Sequence, residues 1–102
     1  MARTLFHGGL VFDGTGAPAA AGDVVVENGR IVGVGAPGLD GDEVVDCGGL
    51  VVLPGLFDCH THVTFSGDLD LRRMVSRPWT MRYFEAVGNL ERTLAIGITT
   101  AR

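Results

Sequence analysis

The residues with most chemistry to offer are Asp58, His60 and His62, in the stretch Pro54-Gly55-Leu56-Phe57-Asp58-Cys59-His60-Thr61-His62. Neutral imidazole is a good ligand for zinc and similar divalent ions, and spacing decides whether two rings can share one ion. In an extended strand successive side chains alternate between faces. Asp58, His60 and His62 then share one side, and Cys59 and Thr61 take the other. Alternate Cα atoms on that side are roughly 6.5–7 Å apart, near enough for both rings to reach an ion at about 2.0–2.1 Å. On a helix the same two residues would project to nearly opposite sides. A chelate therefore requires an extended segment. The apolar run Leu50-Val51-Val52-Leu53, the Pro54-Gly55 break and the apolar residues after it predict one. His60 and His62 are the expected metal ligands. The competing reading is two unrelated histidines near a loop, and Asp58 in phase with the pair weighs against it. Cys59, on the opposite face, reads as packing.

Pro54-Gly55-Leu56-Phe57-Asp58-Cys59-His60-Thr61-His62 resembles the first-strand signature of the amidohydrolase superfamily, metal-dependent hydrolases built on a (β/α)8 barrel. The resemblance extends over nearly the whole chain. Phe12-Asp13-Gly14-Thr15-Gly16, the run from Val24 to Gly35, and Gly97-Ile98-Thr99-Thr100-Ala101-Arg102 are similar to that family's opening segments. Within it, the sequence most resembles imidazolonepropionase-like and prolidase-like (Xaa-Pro dipeptidase) members. The resemblance implies a divalent metal, zinc first, in a binuclear site. It implies further ligands on later strands: a carboxylated lysine bridging the metals, two more histidines, and an aspartate as general base. The implied reaction is attack of metal-activated water on a C–N bond, in a small molecule such as a dipeptide or N-acyl amino acid. Asp58 has two readings, a carboxylate that orients an imidazole and a polar residue of the barrel core.

The scaffold is bounded by length, since 102 residues allow one domain at most. A (β/α)8 barrel needs about 250 residues, so the expectation is an α/β fragment. Residues 1–53 would be a small antiparallel β-sandwich segment. Residues 54–102 would be the first β-α-β unit of an incomplete TIM barrel. In the first part, Thr4–His7 and Leu10–Phe12 read as two strands around Gly8-Gly9, and His7 reads as structural. Asp23–Glu27 and Arg30–Val34 flank Asn28-Gly29, a strong hairpin signal. Residues 36–41 read as a turn-rich connection, and two strands follow at 43–46 and 50–53. None of the Gly-rich stretches opens a helix as a phosphate loop must. In the second part, Val63–Ser76 reads as a loop with a helical turn near Asp70–Met74. From Pro78, Phe84, Val87, Leu90 and Leu94 recur at helical spacing, and Gly97 suits the helix end. Trp79, Tyr83 and Phe84 read as helix-to-barrel core, with a substrate-stacking box as the alternative. A strand opens at Ile98.

Charge narrows the partners. The net charge is −4, divided between a residue 1–70 segment with two arginines against ten acids (−8) and a residue 71–102 segment with six arginines against two (+4). Such a chain is a poor nucleic-acid binder. Arg72, Arg73, Arg77 and Arg82 read as a solvated or subunit-facing surface, which leaves a homo-oligomer open. The alternative is that one of them holds a substrate carboxylate. No apolar run approaches membrane-span length, and no signal-peptide pattern opens the chain. Cys47 and Cys59 give no disulfide framework, so a reducing cytoplasm is the expected compartment. A second function class remains: a non-catalytic structural or interaction module that keeps the barrel's opening alone.

Overall fold

Arg3–Val11 forms one strand (β1), where the sequence suggested two around Gly8-Gly9. What Gly8-Gly9 produces is a bulge. β1 pairs antiparallel with Ala20–Glu27 (β2), and between the Phe6–Val24 and Gly9–Gly22 partners β1 carries one residue more than β2. The N–H freed by a bulge needs another acceptor. Asp23, on β2 at that level, supplies it. Its Oδ1 accepts Gly8 N–H at 3.2 Å and lies 3.0 Å from His7 Nδ1. The computed structural model describes residues 2–35, 38–65, 67 and 69–102. Ala36 and Pro37, in the expected connection, and Ser66 and Asp68, in the expected loop, lie outside the described residues.

β2 returns through Asn28-Gly29 to Arg30–Gly35 (β3), which pairs antiparallel with it. Asn28 has φ +54° and Gly29 φ +71°. A type I′ hairpin turn needs positive φ at both central residues, and Asn-Gly bears it at least cost. The chain then passes to the other edge of β1. Asp23 helps to hold that passage too, since its Oδ2 accepts Gly38 N–H at 2.9 Å. Leu39 lies over Gly33 and Val25. Arg3 N–H donates to Asp42 Oδ2 at 2.8 Å, and Asp42 N–H to Arg3 O at 2.9 Å.

Glu43–Asp46 (β4) and Val51–Val52 (β5) then run parallel to β1, one after the other along that edge. Between them Leu50 N–H closes a turn on Cys47 O at 2.9 Å. This corrects one expectation: the five-stranded sheet is mixed and not purely antiparallel. Parallel pairing needs a crossover, and in the sequence it falls between β3 and β4, where the composition reads as an ordinary turn. Among the described residues Leu5, Val24, Val25 and Cys47 are its buried apolar side chains, with Asp23 fully buried among them.

The chain divides into two compact units, Met1–Pro54 and Gly55–Arg102. In the second, Leu56–Asp58 (β6) pairs in parallel with Ile98–Ala101 (β7). Leu71–Ser76 (α1) and Trp79–Ala95 (α2) connect them. Where the sequence suggested only a helical turn in a loop, α1 is a six-residue helix, capped by Asp70 Oδ1 accepting Arg72 N–H at 2.9 Å. Pro78 precedes the first turn of α2, and Gly97 just past its end has φ +88°, as helix stops favour. Among the described residues no helix is long and apolar enough to cross a membrane.

Candidate functional site

The site grows from the C-terminal end of β6. Arg102 N–H donates to Asp58 O at 3.0 Å, and Thr61 N–H donates to Arg102 O at 2.8 Å. In a regular parallel ladder those two positions would be two residues apart. Here they are three apart, so one extra residue is looped out between Asp58 and Thr61. Asp58 stabilises that loop by accepting the His60 backbone N–H on its Oδ1 at 3.0 Å, a turn that Asp forms readily. The histidines are therefore not on the strand, as the alternation argument required. They lie just beyond it.

The loop nevertheless brings them together. His60 Nε2 and His62 Nε2 are 3.1 Å apart, and their ring centroids 4.9 Å, with the planes at 77°. Without a cation, two imidazole nitrogens at this distance must share one proton, one ring donating and the other accepting. A divalent cation can take that proton's place. Two nitrogens bound to one tetrahedral zinc at about 2.0–2.1 Å would be roughly 3.3 Å apart. The pair fits a chelate within a few tenths of an ångström. Both rings are exposed. Among the described residues no third His, Cys, Asp or Glu joins them to complete a metal cage.

Asp58 takes a different part from the imidazole-orienting one suggested by the sequence: the contact described is with the His60 main chain. Cys59 is exposed rather than packed. Beyond His62, Phe65 N–H donates to His62 O at 3.0 Å, and the Phe65 ring lies 5.2 Å from the His62 ring. Asn89, half-buried on α2, donates its Nδ2 to Val63 O at 2.8 Å and to Phe65 O at 3.2 Å. Its Oδ1 accepts from Arg92 Nη1 at 3.1 Å. Nothing in the local sequence marks Asn89, because the carbonyls it holds are 24 and 26 residues earlier.

Arg73, Arg77 and Arg82, among the arginines read as surface, each have a local partner. Arg73 lies 3.7 Å from Asp70, Arg77 pairs with Glu85, and the Arg82 guanidinium carbon sits 4.4 Å above the Trp79 ring. Trp79, Tyr83 and Phe84, expected as core, are exposed at 72%, 68% and 75%. His7 is structural, bonded to Asp23 far along the sequence from the pair.

A short strand, a crossover of two helices, a parallel partner and a histidine pair looped out at the first strand's end together define a β-α-β unit with two imidazoles side by side at its tip. No family model and no curated protein matches the chain. Solved structures do. It aligns over 98% of its length with a prolidase complexed with N-methylphosphonate-L-proline, at 28% identity and TM-score 0.84, covering 25% of that chain. An amidohydrolase structure aligns over 98% at 27% identity and TM-score 0.84, again over 25% of that chain. N-acyl-D-glutamate deacylase from Bordetella bronchiseptica, complexed with zinc and a phosphonate inhibitor, aligns over 96% at 30% identity and TM-score 0.58, covering 17% of that chain. These matches support the amidohydrolase superfamily for this chain. It spans about a quarter of the length of the first two structures.

Proposed function

We propose that this chain is the opening part of a metal-dependent amidohydrolase that hydrolyses C–N bonds, with dipeptides or N-acyl amino acids as the substrate class. The observation that carries the reading is the 3.1 Å approach of His60 Nε2 to His62 Nε2. The names of the matched structures support the substrate class: one is a prolidase and another an N-acyl-D-glutamate deacylase. On this reading residues 55–102 are the first β-α-β unit of a (β/α)8 barrel, and the parallel β6–β7 pair is where the barrel begins. Active sites of such barrels collect at the C-terminal ends of strands, where His60 and His62 lie. The protein acts in the cytoplasm.

His60 and His62 would hold the cation, zinc by preference since imidazole suits it. A bound divalent ion lowers the pKa of a coordinated water and polarises a carbonyl, and a second ion would share that work. Within this chain, Asp58 fixes the main chain at His60, and the Thr61–Arg102 bond ties the loop to β7. A catalytic zinc normally has three protein ligands and a water, and two imidazoles leave the set short. The 102 residues are therefore expected to bind zinc without turning over substrate.

The test is calorimetric titration of Zn2+ into the chain, its His60→Ala and its His62→Ala variants. The reading expects one saturable site, weakened at least about tenfold in each variant, since each loses one of two ligands. A dipeptide and N-acyl amino acid panel should give no turnover. Equal zinc binding in all three proteins overturns the metal assignment and favours a non-catalytic module.

A further inference from the structure

Each histidine of the pair must be held by something, because a chelate whose arms move freely loses affinity to the cost of ordering them. His60 is held on both sides. Its own N–H is bonded to Asp58 Oδ1, and the next N–H, at Thr61, is tied to Arg102 O on β7. His62 lies one residue beyond that last tie to β7. The next support along the chain comes from α2.

There Asn89 turns the Nδ2 end of its carboxamide to the loop. Both Nδ2 hydrogens are used, one on Val63 O at 2.8 Å and one on Phe65 O at 3.2 Å. Arg92 Nη1 donates to Oδ1 at 3.1 Å. Arginine has no acceptor to offer, so this bond sets which end of the amide faces the loop. The loop so held closes on His62 itself, through Phe65 N–H to His62 O at 3.0 Å and the Phe65 ring 5.2 Å from the imidazole.

We infer that Asn89 is a positioning residue for His62: its carboxamide clamps Val63 and Phe65, and that clamp keeps the His62 imidazole beside His60. The inference rests on the proposed metal site and adds to it the element that completes the pair's geometry. Groups that orient metal ligands typically change affinity by about 10–100-fold when removed.

Zn2+ affinity is measured by calorimetry, and Phe65 amide exchange by NMR on the metal-free chain. Asn89→Ala is the main variant, because alanine favours helix and deletes the clamp without adding charge. Asn89→Asp is the second, nearly the same shape but with acceptors facing two carbonyls. Glu91→Gln, exposed on the same helix, is the control. Both Asn89 variants should bind Zn2+ at least about tenfold more weakly and exchange the Phe65 amide faster, with helical circular dichroism unchanged and Glu91→Gln like wild type. Asn89→Ala with wild-type affinity overturns the inference while the metal reading stands. Weaker zinc binding with unchanged Phe65 exchange also overturns it, since the effect would not travel through the loop. A wild-type chain that does not bind zinc defeats the metal reading first, and the inference with it.

Discussion

Asp23 has no exposed surface, and yet it is an acid. It is kept ionised by what surrounds it. The Gly38 N–H does most to hold its carboxyl below the ordinary value, the Gly8 N–H and His7 add to this, and burial opposes all three. A carboxylate whose pKa is depressed on folding stabilises the fold above its unfolded pKa of about 3.9 and loses that contribution as pH falls through the folded value. The first unit should therefore lose stability as pH falls below about 4. Asp23→Asn should lower stability at neutral pH and flatten this acid limb. Thermal melts from pH 7 to pH 2.5 check it, and parallel wild-type and variant curves would refute it. The sequence showed Asp23 only as the start of an apolar strand. Its partners, His7, Gly8 and Gly38, are each 15 or 16 residues away, beyond any local pattern.

At the scale of elements, what could be read was what neighbours in sequence decide. Asn28-Gly29 dictates the β2–β3 hairpin because the turn's φ values belong to those two residues. The helix over 79–95 followed from apolar spacing and from Pro78 and Gly97. The parallel placement of β4 and β5 could not be read, because it depends on a crossover and on a matching break in β1. Gly9 shows the match: a Cβ there would come within 3.0 Å of Cys47 Cβ and 3.2 Å of Leu50 O. The site was half legible. Period-two spacing correctly paired His60 with His62 but assigned them to the strand, and the looped-out residue depends on Arg102. The Pro-Gly entry also has a steric cause. A Cβ on Gly55 would collide with Thr99 Oγ1 on β7 and come within 2.6 Å of its Cγ2. Gly55→Ala should destabilise the second unit by about 1–3 kcal/mol, the usual cost of overpacking. Gly55→Ala/Thr99→Ala should recover part of that, as a double-mutant cycle by urea unfolding would show. Strict additivity of the two changes would mean that the contact is not what makes Gly55 necessary.

For the molecule as a whole, the ratio of buried to exposed apolar surface governs behaviour. The buried apolar side chains described are four, all in the first unit. The exposed ones include Ile31, Val32, Val34, Leu50 and Val51 on its sheet, and Phe84, Val87, Leu90 and Leu94 along α2. Apolar patches of this extent are uncommon on stable monomers and mark surfaces that need covering. The α2 stripe repeats at helical spacing, the pattern of a helix that packs on something. β6–β7 is a two-stranded pair, and such a pair is marginal in water without further strands or a packed helix. The isolated chain should therefore bind the dye 1-anilinonaphthalene-8-sulfonate strongly and associate as its concentration rises. Sedimentation velocity between about 5 and 200 µM, a range in which apolar association is commonly seen, should show a rising average mass. Replacing Phe84 and Leu94 together with glutamine should reduce both signals, because it breaks the stripe on exposed helix positions where glutamine is well tolerated. A dye-silent chain, monomeric across that range and melting cooperatively, would mean that these faces are covered within the chain itself.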